Sequence, residues 1–128
     1  MSVKTPSREE VREARRRARE ALEGRGDPLA LALAENVRRL FPGRQRSWYE
    51  RVLTRCFIGA ERSAPYAWRL PGIRELGDRY PLYNVVYTRS GWYCDCYARR
   101  YGWRRSSNVC THVAAVIVLS STEAKLKW

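Results

Sequence analysis

Apolar positions follow a helical period over the first half of the chain and a shorter one after it. Val11, Ala14, Ala18, Ala21 and Leu22 recur at the spacing that places side chains on one face of a helix. Ser7-Arg8-Glu9-Glu10, just before them, is a capping box with Ser7 as N-cap and Glu10 reaching back. Gly24 suits the end of that helix. Its stripe is narrow and alanine-rich, which predicts weak packing or contact with a partner, and residues 1–6 are expected to be loose. Asp27-Pro28 opens a second helix, Asp as N-cap and Pro in the first turn. Leu29, Leu33, Val37, Leu40 and Phe41 then share one face, and Pro42-Gly43 stops it. The alternation LALALA also fits a strand, but the cap and the later spacing favour a helix. Ser47-Trp48-Tyr49-Glu50 is a second capping box, opening a third helix through about Phe57 that buries Val52, Leu53, Cys56 and Phe57. Cys56, on that face, is read as a core residue.

From residue 60 the pattern changes. Tyr66-Ala67-Trp68-Arg69-Leu70 is short, aromatic and closed by Pro71-Gly72. The run YPLYNVVY over 80–87 is β-rich, Ser90-Gly91 is a turn, and Trp92-Tyr93-Cys94 is a second short strand; together they predict an antiparallel hairpin. Near Cys110 a last element begins, with Val113 to Leu119 apolar nearly all round. That is a buried helix; a core strand is the weaker alternative. No internal repeat is present.

The 128 residues suit one domain with a short extension, and the 45% hydrophobic content is enough for a core. No apolar run approaches the roughly 18–20 residues of a membrane span. The first twenty residues lack the apolar centre of a secretory signal. An intracellular, cytoplasmic protein is therefore expected, with thiols reduced and more suited to metal than to disulfides. Net charge is +12, from 22 Arg and three Lys against 13 acids. Such a surface attracts polyanions, nucleic acid first among them, and arginine adds bidentate phosphate contacts and stacking. A solubilising or heat-adapted arginine surface is the plain alternative. On the first helix Arg12, Arg15, Arg16 and Arg19 lie away from the apolar stripe, diluted by glutamates. A salt-bridged solvated helix and a nucleic-acid arm both fit them.

Three of the four cysteines and the only histidine fall within residues 92–116, as Cys94-Asp95-Cys96 and Cys110-Thr111-His112. Three thiolates and one imidazole make a tetrahedral zinc set. The first pair reaches one ion only if the backbone turns at the strand end. The second fits a helix entrance, where free N–H groups stabilise thiolates. Four protein ligands fill the tetrahedron, so one structural Zn2+ is expected rather than a catalytic one with an open position. Unrelated core cysteines and disulfides are the competing readings. The fold class expected is α+β, N-terminal helices followed by a small ββα zinc-binding module. Three segments result: a basic, partly flexible helical arm over 1–26, a helical region over 27–60 and the zinc-binding module over 61–128.

Tyr83-Asn84-Val85-Val86-Tyr87, Trp92-Tyr93-Cys94-Asp95-Cys96 and Cys110-Thr111-His112-Val113-Ala114-Ala115-Val116 resemble a SWIM-type zinc finger: C-x-C, a variable loop, then C-x-H leading into an apolar helix. The resemblance covers about residues 64–120 and is nearest to small stand-alone archaeal members. It implies a ββα unit with Cys94, Cys96, Cys110 and His112 as ligands, and DNA or protein as partners. SWIM modules also occur in transposases, chromatin-remodelling ATPases, ubiquitin ligases and recombination accessory proteins, but this chain is too short for an ATPase or transposase core.

Between the ligand pairs lie Arg99, Arg100, Tyr101, Trp103, Arg104 and Arg105, with no acid over 97–108. Arginines there can pair with phosphates while Tyr101 and Trp103 stack on exposed bases. Alternatively the aromatics cover the metal and the arginines face water. The expected function is a non-enzymatic, zinc-stabilised nucleic-acid-binding protein, contacting structured RNA in a ribosome-associated or other ribonucleoprotein setting, or DNA. The alternative is a protein-interaction adaptor such as a recombination accessory subunit. No paired carboxylates, nucleophile–base set or phosphate-cradling glycine loop is recognisable, so neither catalysis, nor a small-molecule substrate, nor a membrane partner is expected.

Overall fold

The structure, a computed structural model, describes residues 3–96 and 109–127, with side chains through residue 123 at the C-terminal end. Helix α1, Arg8–Leu22, begins at the capping box: Ser7 N–H donates to Glu10 Oε1 at 2.9 Å and Glu10 N–H donates to Ser7 Oγ at 3.1 Å. It buries Val11, Ala14, Ala18, Ala21 and Leu22, the stripe read from the sequence. The stripe does not pack weakly. Its methyl-sized side chains let α1 lie close against α3, Arg46–Ile58, and α2, Pro28–Leu40. Arg38 donates to the Leu22 carbonyl at 2.8 Å, closing the end of α1.

Asp27 caps α2, its Oδ1 accepting from Ala30 N–H at 2.8 Å. The buried face is Ala30, Leu33, Ala34, Asn36 and Val37, turned from the expected one. Leu29 is 46% exposed, and Leu40 and Phe41 are only partly buried. The small Ala30 and Ala34 take the close inter-helix contacts, and Asn36 Nδ2 donates to Thr122 Oγ1 at 2.8 Å inside the fold.

Helix α3 starts from Gln45 without a side-chain cap, so the Ser47–Glu50 box does not form. Tyr49 sets the entry instead: its hydroxyl donates to the Phe41 carbonyl at 2.6 Å and accepts from Arg44 N–H at 3.2 Å. Glu50 turns to Arg19 and Arg46. Val52, Leu53 and Cys56 are buried as expected, whereas Phe57 is only partly so, and Thr54 and Arg55 are buried beside them.

Strands β1 (Glu61–Ala64), β2 (Ala67–Pro71), β3 (Leu82–Thr88) and β4 (Gly91–Cys94) form an antiparallel sheet in that order. The expected hairpin is β3–β4, with Val85 opposite Cys94 and Thr88 opposite Gly91. Two further strands widen it, and Trp68, Val85 and Cys94 share one cross-strand row. The last helix, α4 (Thr111–Lys127), touches α2, α3, β3 and β4. Lying between helices and sheet, it needs apolar surface on every side: Val113, Ala114, Ala115, Val116 and Val118 are all buried. The fold is thus α+β, four helices and a four-stranded antiparallel sheet among the described residues. No helix among them is long and apolar enough to cross a membrane.

Candidate metal centre

The strand-to-helix change that C-x-C requires occurs at Asp95. Cys94 ends β4, while Asp95 and Cys96 already have helical backbone. Asp95 is clipped to the neighbouring strand: its Oδ2 accepts from Asn84 N–H and from Asn84 Nδ2, each at 2.9 Å. On the other side, Cys110 precedes α4; its carbonyl accepts from Ala114 N–H at 2.9 Å and its sulfur from Val113 N–H at 3.4 Å. His112 follows in the first turn. One ligand atom from each of Cys94, Cys96, Cys110 and His112 lies within 4.8 Å of every other, and all four residues are buried.

The donor set fits a single metal ion. Zn–S near 2.3 Å and Zn–N near 2.0–2.1 Å give tetrahedral edges of about 3.5–3.8 Å, inside the 4.8 Å that bounds the separations of these four atoms. The buried imidazole also lacks another satisfying arrangement. Both His112 ring nitrogens are buried without a hydrogen bond. Nε2 sits 3.2 Å from Asp78 Oδ1, at contact distance but without hydrogen-bond alignment. Hydrogen bonds to Cys110 and Cys96, with burial, push the Cys94 thiol far up. Burial also opposes ionisation of Cys110, but hydrogen bonds with Cys94 and Cys96 and the neighbouring His112 hold its thiol far down. Cys56 stays outside the cluster, buried in the core with its sulfur 3.7 Å from the Ala115 carbonyl, and desolvation raises its thiol. It is the core residue expected.

Around the ligands lies a buried polar network that the spacing of residues did not reveal. Asp78 accepts from Arg55 Nη1 at 2.7 Å and Nη2 at 3.0 Å, with side chains only 6% and 3% exposed. Arg55 Nε donates to Thr111 Oγ1 at 2.9 Å, next to His112. Burial opposes the Asp78 charge, but His112 and Arg55 hold its carboxyl well below the usual range. Asp78 is presented by the β2–β3 connection, which closes on itself: Gly72 N–H donates to the Pro81 carbonyl at 2.9 Å and Ile73 N–H to Asp78 Oδ2 at 2.8 Å. Only glycine fits at position 72, because a Cβ there would lie 1.7 Å from the Tyr80 carbonyl oxygen. Tyr83 completes the shell, its ring stacked on His112 with centroids 4.1 Å apart. Arg55 carried one faint signal, a charged position flanked by Thr54 and Cys56 on an otherwise apolar stretch. Asp78 carried none.

The candidate nucleic-acid residues divide. Arg99, Arg100, Tyr101, Trp103, Arg104 and Arg105 lie outside the described residues. On α1, Arg12 pairs with Glu9 at 2.9 Å, Arg16 with Glu13 and Glu20, and Arg19 with Glu50 at 2.9 Å. Arg15 has no ion pair among the described residues. Apart from both groups, Tyr66, Tyr87, Trp92 and Trp68 form, in that order, a chain of ring contacts with centroids 6.5, 4.9 and 5.6 Å apart. They line an open cleft of about 910 Å³ shared with Leu29 and Leu119.

No protein-family model matches the chain, and no curated protein or solved structure is significantly similar to it.

Proposed function

We propose that this chain is a non-enzymatic nucleic-acid-binding protein, stabilised by one structural zinc ion in a module of SWIM type. Cys94, Cys96, Cys110 and His112 would hold the ion, and the set of three thiolates and an imidazole favours zinc over hard cations. With four protein ligands no position is left for a reacting water. The chemistry supplied is a cross-link: the end of β4 is tied to the start of α4. The observation that carries the reading is where the arginine-rich segment attaches. The twelve residues 97–108, with four arginines, three aromatics and no acid, run in sequence from Cys96 towards Cys110. Both anchors are buried ligands, so their separation is set by the site. A short basic segment with fixed ends loses less conformational entropy on meeting a phosphate backbone than a free tail does. The net charge of +12 supports the same partner. Structured RNA, as in ribosome-associated proteins of the cytoplasm, and DNA are the two forms of it.

Fluorescence anisotropy with a labelled RNA stem-loop and a DNA duplex, across a salt series, tests the reading. Binding should weaken steeply with salt, and competition between the two ligands assigns the preferred form. Failure to bind either at low salt refutes it. The aromatic cleft supports a second reading, a protein-interaction adaptor. Tyr66 is 65% exposed there, and an open surface of rings and leucines suits an apolar partner. That reading requires a complex from lysate that survives nuclease treatment.

A further inference from the structure

Helix α1 sorts its charges around its axis. Arg8, Arg12, Arg15 and Arg19 are spaced by four, three and four residues, and so form one strip. One residue further on, Glu9, Glu13, Arg16 and Glu20 repeat that spacing and form the adjoining strip. The apolar stripe occupies the remaining side and packs on α3. The four arginines of the first strip line one hollow together, with Glu75 as the single acid. Arg8, Arg74 and the same Glu75 line the next hollow beyond it.

Local electrostatics work against this strip. Arg8–Arg12, Arg12–Arg15 and Arg15–Arg19 are like-charged neighbours at helical spacing, an arrangement that destabilises a helix. Within the strip only Arg12 and Arg19 have ion pairs, with Glu9 and Glu50, and the Arg12 pair is highly exposed and screened by water. Arg8 and Arg15 have none among the described residues, and neither does Glu75. By contrast Arg16, in the adjoining strip, is held between Glu13 and Glu20. A strip whose members repel one another is stabilised by an anion laid along it.

We propose that Arg8, Arg12, Arg15 and Arg19 form a second contact site on the nucleic acid, a track for its backbone phosphates. The proposal rests on the nucleic-acid reading above and adds a site built on α1 to the segment between the metal ligands. Geometry matches the ligand. Arg8 to Arg19 covers about 16 Å of helix, and one strand of a duplex presents a phosphate about every 3.4 Å of axis, so roughly five phosphates lie alongside. Arginine suits the task because its planar fork grips phosphate oxygens in pairs. Arg16, neutralised by its glutamates and turned away, is not part of the track.

The test compares two double variants of the full chain with equal change in charge. R8Q/R15Q removes the unpaired members of the strip. R16Q/R25Q removes arginines already paired with glutamates. Anisotropy with the RNA stem-loop and the DNA duplex is measured across salt for both, for the parent and for R99Q/R100Q/R104Q/R105Q. For R8Q/R15Q the log–log salt slope should flatten by about 1.4–1.8, a loss of roughly 25- to 60-fold at 0.1 M salt. R16Q/R25Q should change the slope by less than about 0.5. Thermal melts separate binding from folding, since relief of repulsion leaves R8Q/R15Q melting no lower than the parent. If the parent binds and R99Q/R100Q/R104Q/R105Q fails to, while R8Q/R15Q binds like the parent, the track is overturned and the nucleic-acid function stands. If the parent binds neither nucleic acid, both fall. Pelleting with phosphatidylcholine–phosphatidylserine vesicles supplies the remaining arm: binding to vesicles alone also overturns the track.

Discussion

Replacing Asp78 tests whether the polar shell belongs to the metal site or only to the core. In Asp78→Ala the Arg55 guanidinium keeps Thr111 as its one hydrogen-bond acceptor and loses the carboxylate that grips it at 2.7 and 3.0 Å. Arg55 is 3% exposed, so water cannot take over. Breaking a buried pair from one side costs about 3–5 kcal/mol, and the orphaned Ile73 N–H adds about 1 kcal/mol. Arg55→Met should cost a similar amount by stranding Asp78. The double variant removes both charges, so it should fall short of the summed losses by about 2 kcal/mol or more. Urea unfolding of the four proteins measures this. The metal readout separates the two residues: His112 loses its facing carboxylate only when Asp78 is changed. Chelator competition should therefore show affinity falling about 10–100-fold in Asp78→Ala and much less in Arg55→Met. Asp78→Asn, which keeps the shape and one carbonyl acceptor, serves if the alanine variant does not fold. Additive stability losses, together with unchanged metal affinity in Asp78→Asn and any folded Asp78→Ala, would refute the linkage.

Two other substitutions probe the same centre. Cys96→Ser should release zinc and unfold the C-terminal half, since one ligand fewer leaves a buried and mismatched set; metal analysis showing undiminished one-to-one zinc would remove Cys96 from the ligands. Gly72→Ala should destabilise the fold by at least about 2 kcal/mol, because the new Cβ meets backbone 1.7 Å away and the connection carrying Asp78 must shift; an unchanged urea midpoint would show that no such close approach exists.

Elements governed by local rules were legible in the sequence. The α1 cap and stripe, the Asp27 cap, the β3–β4 hairpin and the helix after Cys110 follow from spacing and turn chemistry alone. Features set by partners distant in the chain were not. Leu29 fits the helical pattern, yet the surfaces packed on α2 favour its alanines. Tyr49 overrode the Ser47–Glu50 cap through a contact with Phe41. Strand β1, with the sequence ERSA, has no apolar alternation and exists as a partner of β2. At the centre, the ligand-type residues were visible as paired short motifs, whereas Asp78 and Arg55 became relevant only once the fold brought α3, the β2–β3 connection and α4 together.

The position of α4 has a consequence for synthesis. It comes after every other described element, yet it is the one against which helices and sheet both close. While the ribosome is still making residues 111–119, the faces of α2, α3, β3 and β4 that α4 covers stay open, and half of the Cys/His set has only just appeared. The nascent chain must therefore keep its apolar faces from sticking elsewhere until α4 has been made, and metal capture and core closure should then occur together.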